Sequence, residues 1–319
     1  MDRVCSLLMG GVLCVVVAGV AQPSTAKDIP ATLVDVPYGP HPKQVLDFWK
    51  VPTATAARPA PVLFYIHGGG WRGGNRSHVG AMLKPMLDAG VSVVSISYRF
   101  IPEAEAEKVT PPVKAPMLDA ARALQTVRSK AAEWQIDKQR IAAAGLSAGG
   151  CTSLWLAFHD DMADPQSADP VARESTRLTA AMVSAAQTSL DPEQMKAWIP
   201  NSGYGGHAFG YGSFNAFLAN REKILPWIAE YSPYALATPD DPPVYLRYKL
   251  APAVGEQQQD PTHSANFGVK LKERLDELGV RCELVHGGNT TSASLSPDDF
   301  LFSALGVSGA KQTSAPSRK

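Results

Sequence analysis

The sequence predicts an α/β fold: a mostly parallel central sheet covered by helices on both faces, with an antiparallel start. Three observations carry this. From residue 60 onward, short continuous apolar runs alternate with segments of helical periodicity. The connecting units are long enough for right-handed crossovers. Two glycine-marked turns, His67 to Gly74 and Gly145 to Gly149, each follow directly on a buried run.

The chain has 319 residues and is 45% hydrophobic, which gives ample material for a core in one large domain or two small ones. Its 30 basic and 30 acidic residues cancel, without a basic stripe, so nucleic acid is not an expected partner. Residues 1–26 differ from the rest. Asp2 and Arg3 precede an apolar run from Leu7 to Val20, followed by small residues at Ala21, Ser24 and Ala26. This order reads as a secretory signal peptide cleaved after Ala21 or Ala26, with an uncleaved anchor as the alternative. A secreted or periplasmic location is therefore expected, with no stable membrane insertion after cleavage. Cys14 follows Gly-Val-Leu, which argues against a lipoprotein anchor. Cys5 and Cys14 leave with the signal, and Cys151 and Cys282 are expected as small buried hydrophobes rather than a bridge.

Thr32 to Val36 and Gln44 to Val51 read as an antiparallel pair, since Leu46, Phe48 and Val51 are interrupted by Asp47 and Lys50. Residues 53–61 are rich in Ala and Pro and form a loop. Pro61 to Ile66 is apolar throughout, as befits a central strand buried on both faces. Three glycines after it, in His67-Gly68-Gly69-Gly70-Trp71, leave backbone bare for close approach to a ligand. His78 to Ala89 is a helix with Met82, Leu83, Met86 and Leu87 inward, ended by Gly90, and Val91 to Tyr98 is the next strand. Ile101 to Pro112 reads as a charged, Pro-rich crossover, and Val113 to Trp134 as a long helix. Asp119 near its start is assigned to helix-dipole or loop anchoring rather than catalysis.

Asp137 to Gly145 is a strand leading into Gly145-Leu146-Ser147-Ala148-Gly149 and then a helix as far as His159. That turn exposes a serine hydroxyl at the positive end of a helix. Residues 160–177 form a polar surface excursion, and Ala180 to Ala186 is a further strand. Residues 193–241 break the rhythm with aromatics from Trp198 to Tyr234 interleaved with glycines, which reads as a lid over a pocket or a packed helical insertion. Pro243 to Leu250 and Val280 to His286 are the last strands. Between them lies a helix over Ala265 to Leu278, with Phe267, Leu271, Leu275 and Leu278 on one stripe and Gly279 as its stop. Pro297 to Leu305 closes the domain at residue 306, and residues 307–319 are expected to be a disordered tail.

In this order and context, the His67-Gly68-Gly69-Gly70 loop and, about 75 residues later, the Gly145-Leu146-Ser147-Ala148-Gly149 turn resemble the α/β-hydrolase fold. The likeness is to its esterase and lipase branch and spans residues 40–305. It is similar to secreted carboxylesterases that include feruloyl and acetylxylan esterases. The resemblance implies Ser147 as nucleophile, backbone N–H groups of Gly68, Gly69 and Ala148 as an oxyanion hole, and His67 as a loop-shaping residue. It implies an acid after the strand at Pro243, where Asp260 is preferred over Glu256. It also implies a histidine several residues past the last strand, but that loop reads Gly287-Gly288-Asn289-Thr290-Thr291 and holds none. His286 is the nearest substitute, His263 the next and His207 a third. Three readings follow: a serine hydrolase of short acyl or aryl esters, including esters on polysaccharides; an impaired hydrolase-fold binding protein; or a peptidase of the same fold. No metal, nucleotide or flavin signature occurs, and the Gly-rich loop lacks the Lys-Ser/Thr of a phosphate-binding loop.

Overall fold

The protein is seen here in a computed structural model that describes residues 29–289 and 295–308. The expected leader, residues 309–319 of the expected tail, and the Thr290 and Thr291 positions lie outside the described residues.

Antiparallel β1 (Leu33–Pro37) and β2 (Val45–Trp49) open the chain. β3 (Ala60–Ile66) is buried along its whole length. It is followed by α1 (Gly80–Asp88), β4 (Ser92–Ile96) and the short α2 (Ile101–Ala106), a helix within the stretch expected to be only a crossover. The long helix expected after it divides into α3 (Lys114–Ser129) and α4 (Ala131–Trp134). β5 (Ile136–Leu146) and α5 (Ala148–Phe158) flank the serine turn, and β6 (Ala180–Ser184) follows.

The aromatic segment is a packed helical insertion rather than a loose flap. It comprises α6 (Pro192–Trp198), a 3₁₀ turn at Gly206–Phe209, α7 (Phe214–Ala219), α8 (Leu225–Tyr231) and α9 (Pro233–Leu236). Trp198, Phe209, Phe214, Phe217 and Tyr231 are buried in the main core, so their apolar area does the work of holding the insertion down. β7 (Val244–Arg247), α10 (Ala265–Leu278), β8 (Cys282–Val285) and α11 (Pro297–Leu305) complete the order.

The eight strands form one sheet in the order β1-β2-β4-β3-β5-β6-β7-β8. Pairing is antiparallel from β1 to β4 and parallel from there to β8. One face packs under α3, α5 and α10, and the other under α1 and α11, giving two core layers. The all-apolar central strands require this cover, since both faces of β3 and of the second half of β5 are buried. Cys151 and Cys282 are free and buried, as expected.

Asp119 has the anchoring role expected of it. Buried at 1% exposure, it accepts the backbone N–H of Arg99 at 2.9 Å, the Arg99 Nη2–H at 2.6 Å and the Gln44 Nε2–H at 2.7 Å. It thereby ties α3 to the loop after β4 and to the start of β2. Removing one partner of such a buried pair leaves the other uncompensated. Asp119→Ala is expected to lower unfolding free energy by about 3 kcal/mol, measured by urea denaturation. Wild-type stability in this variant would remove the anchor role.

Candidate active site

Ser147 stands where β5 ends and α5 begins, with φ 54° and ψ −123°. A non-glycine residue in this region carries about 1–3 kcal/mol of strain, which the surrounding packing must impose. Its N–H is tied to Ser184 O at 2.9 Å, and its C=O accepts the Cys151 N–H at 2.9 Å, so both sides of the turn are fixed. The turn is tight because α5 presses on the end of β3. A Cβ on Gly149 would lie 2.1 Å from Ile66 O and 2.5 Å from His67 O. Likewise a Cβ on Gly68 would lie 2.5 Å from Leu146 O. Glycine at these two positions is what lets the His67–Gly70 loop lie directly against the serine turn.

Three side chains then hold that loop in place. Trp71, fully buried, donates its indole N–H to Thr152 Oγ1 at 3.0 Å, and that hydroxyl donates to Ala148 O at 3.0 Å. The loop is thus pinned to the first turn of α5, the turn that bears the Ala148 N–H. His207, from the aromatic insertion, meets Gly70 O through Nε2 at 3.0 Å, so it supports the loop rather than the serine. His67 stacks on Tyr98 at 4.4 Å between ring centroids, and its Nδ1 lies 2.8 Å from Gly68 O. Burial lowers the His67 pKa to about 4, so the ring is neutral at pH 7 and shapes the loop, as expected.

The ring that meets Ser147 is His263. Its Nε2 lies 3.0 Å from Ser147 Oγ, and its Nδ1 lies 2.9 Å from Asp260 Oδ2. Asp260 Oδ1 also accepts the backbone N–H of His263 at 3.2 Å, so one carboxylate fixes both the ring and its backbone. With Nδ1–H donated to Asp260, Nε2 presents its lone pair to the serine hydroxyl. The Asp260–His263 turn is itself anchored. Gln187 Nε2–H donates to Thr262 O at 2.6 Å, and Ser264 caps α10 by accepting the Asn266 N–H at 3.1 Å. Asn266 in turn accepts the Ala253 N–H at 2.8 Å and donates to Trp198 O at 2.8 Å.

This corrects the expectation for His286. It follows Val285 on β8, and the ladder aligns Val285 with Arg247, Ser184 and Leu146 in turn. Three strand spacings, about 14 Å, separate that position from the residue before Ser147. The His286 Nδ1 instead accepts the Gly288 N–H at 3.1 Å. Asp260, preferred over Glu256, is the carboxylate that meets a histidine. The signal that points to His263 was present in the sequence. An acid and a histidine three residues apart, directly before a Ser N-cap, can share one turn. Gln187 and Trp71 were not legible as anchors, because their partners lie 75 and 81 residues away.

A cavity of about 570 Å³ opens over the site, lined by Leu146, Ser147, Ala185, Lys249, Leu250, Gln259, Asp260 and His263. Leu146 is 47% exposed within it, an apolar floor beside the serine.

The sheet order, the strained serine at the strand-to-helix turn and the adjoining glycine loop define the class as an α/β hydrolase. Residues 46–249 match the family model BD-FAE, and the chain belongs to that family. In sequence it is similar to esterase LipC of Mycobacterium tuberculosis, with 35% identity over 117 residues, covering 35% of this chain and 26% of LipC. It is also similar to carboxylesterase NlhH of the same organism, with 41% identity over 98 residues, covering 30% of this chain and 28% of NlhH. The chain therefore spans little more than a quarter of the length of these curated relatives. In fold it is similar to a truncated carbohydrate esterase from gut microbiota, with a TM-score of 0.64, 18% identity, and coverage of 86% of this chain and 96% of that one.

Burial of His67 has a consequence for stability. Folded, the ring takes up a proton only near pH 4, whereas unfolded it does so near the ordinary 6.5. Its contribution is therefore complete above pH 6.5, declines as pH falls toward 4 and levels off below, a loss of about 3 kcal/mol. Urea denaturation at pH 7 and pH 4 is expected to give a smaller difference for His67→Asn than for the wild type. Equal differences would show that His67 does not take part in the acid transition.

Proposed function

We propose that this chain is a carboxylic ester hydrolase acting through an acyl-enzyme on Ser147, with His263 as the base and Asp260 as the carboxylate that orients it. The observation that carries the reading is the hydrogen-bonded series Asp260–His263–Ser147, at 2.9 and 3.0 Å, on a strained serine beside a helix N-terminus. Support also comes from the BD-FAE family and from the esterase names of its relatives.

In this reading Ser147 Oγ attacks the ester carbonyl carbon as its proton passes to His263 Nε2. The carbonyl oxygen becomes an oxyanion and accepts hydrogen bonds from the Ala148 N–H, which has no intrahelical acceptor at the first position of α5, and from the Gly68 and Gly69 N–H groups. Each such donor is worth about 2.7–4 kcal/mol in the barrier. The tetrahedral intermediate collapses, the C–O bond to the alcohol breaks, and the leaving oxygen takes the proton from Nε2. Water then attacks the acyl carbon, gives a proton to Nε2 and releases the acid, and Ser147 Oγ recovers its hydrogen. Asp260 stays ionised and stabilises the imidazolium that forms twice in the cycle.

The motive for a non-catalytic reading was the absence of a histidine past β8, and His263 supplies a ring from another loop. The open cleft with Leu146 at its floor suits short acyl or aryl esters, including those on polysaccharides, and the leading segment suits export to a secreted or periplasmic location.

Hydrolysis of p-nitrophenyl acetate is expected to fall at least about 10³-fold in both Ser147→Ala and His263→Ala, but only a few-fold in His286→Ala. A fluorophosphonate probe is expected to label the wild type and not Ser147→Ala. Release of nitrophenol by Ser147→Ala at the wild-type rate would sink the proposal. The opposite order of effects in the two histidine variants would move the base to His286.

A further inference from the structure

Two cations stand beside the proposed nucleophile with no carboxylate of their own. Across the C-terminal edge of the sheet, Leu146, Ser184, Arg247 and Val285 are partners in one row. Residues in one row of a parallel sheet point to the same face. Arg247 therefore stands two strand spacings, about 10 Å, from the backbone of Leu146, the residue before Ser147. Lys249 follows two positions on. Tyr248 between them turns inward, is buried, and donates its hydroxyl to Ala186 O at 2.8 Å.

Both cationic side chains are exposed, and among the described residues neither forms an ion pair. The neighbouring acids are already engaged: Asp260 by His263, and Glu283 by Arg281. Arg247 and Lys249 line a cavity of about 440 Å³. That cavity shares Leu146, Ala185 and Lys249 with the larger one over Ser147 and His263, so the two are lobes of one trough. Solvated surface cations need no such setting. Here two like charges face one concavity whose apolar floor leads to the nucleophile.

We propose that the outer lobe is an anion subsite, and that the trough takes esters carrying a second, ionised carboxylate several bonds from the scissile carbonyl. This rests on the reading of Ser147 as an esterase nucleophile. The planar Arg247 fork matches a carboxylate with two parallel hydrogen bonds, Lys249 adds a point charge, and the spacer of the substrate lies over Leu146.

The test compares an anionic with a neutral ester on each side of the scissile bond. The acyl arm sets mono-p-nitrophenyl glutarate against p-nitrophenyl butyrate. The alcohol arm sets 4-acetoxybenzoate against phenyl acetate. In the double variant Arg247→Gln/Lys249→Gln, the anionic-to-neutral ratio of kcat/KM is expected to fall about five- to tenfold in one arm, and the wild-type ratio to shrink in 0.5 M salt, on the order expected for partly exposed charges. The arm that responds assigns the carboxylate to the acid or the alcohol. Ratios within twofold of wild type in both arms overturn the subsite. If neither ester is hydrolysed, the esterase reading fails by itself, and calorimetric titration with monomethyl glutarate then decides. Saturable binding lost in the double variant retains the subsite, and no binding, or equal binding by both proteins, overturns it.

Discussion

The site depends on how closely α5 is pressed against the end of β3. Backbone carbonyls of Ile66 and His67 occupy the space where a Cβ of residue 149 would stand, and Leu146 O does the same at residue 68. That contact sets the serine turn and the glycine loop at one fixed separation. The proposed oxyanion site would depend on this, because its donors must aim at an atom that exists only in the transition state. A polar series continues the constraint outward. Trp71, Thr152 and the Ala148 carbonyl join the loop to the helix, and His207 joins it to the aromatic insertion. The insertion, expected as either lid or packed helices, thus buttresses the loop from behind.

Much of the fold was legible because the sheet is nearly all parallel. Strands buried on both faces read as continuous apolar runs: β4 and β6 stand within the stretches so marked, and β3 and the second half of β5 overrun theirs by one residue. What was less legible was local. The charged run after β4 conceals the short helix α2, whose N-terminal proline and Glu103 cap suit a first turn. The long helix ends at Trp134 as read, but the break at Lys130 that separates α3 from α4 is not marked by its apolar spacing. The left-handed Gln135, with φ 57°, closes α4 directly after Trp134.

At the site, the serine turn and glycine loop were plain because close approach leaves a glycine signature. The histidine that meets Ser147 was harder to place. A family pattern directs attention past the last strand, to where His286 stands, whereas the ring that reaches Ser147 comes from the loop after β7. Short-range chemistry favoured His263 all along, since Asp260 three residues earlier can meet both its ring and its backbone N–H. Long-range anchors such as Gln187 on Thr262 have no sequence signature, because nothing local marks a bond across 75 residues.

That Asp260 and His263 share one turn has a mechanical consequence. In a triad assembled from two distant loops, either loop can drift and spoil the alignment of ring and carboxylate. Here their mutual alignment is a property of four consecutive residues, and only the seating of that turn against the serine depends on tertiary structure. Carboxylate and imidazole therefore move as a single module. Loosening the loop between β7 and α10 withdraws the pair together, with the ring tautomer preserved, and reseating restores both at once. The fold has to solve one docking problem at this site instead of two.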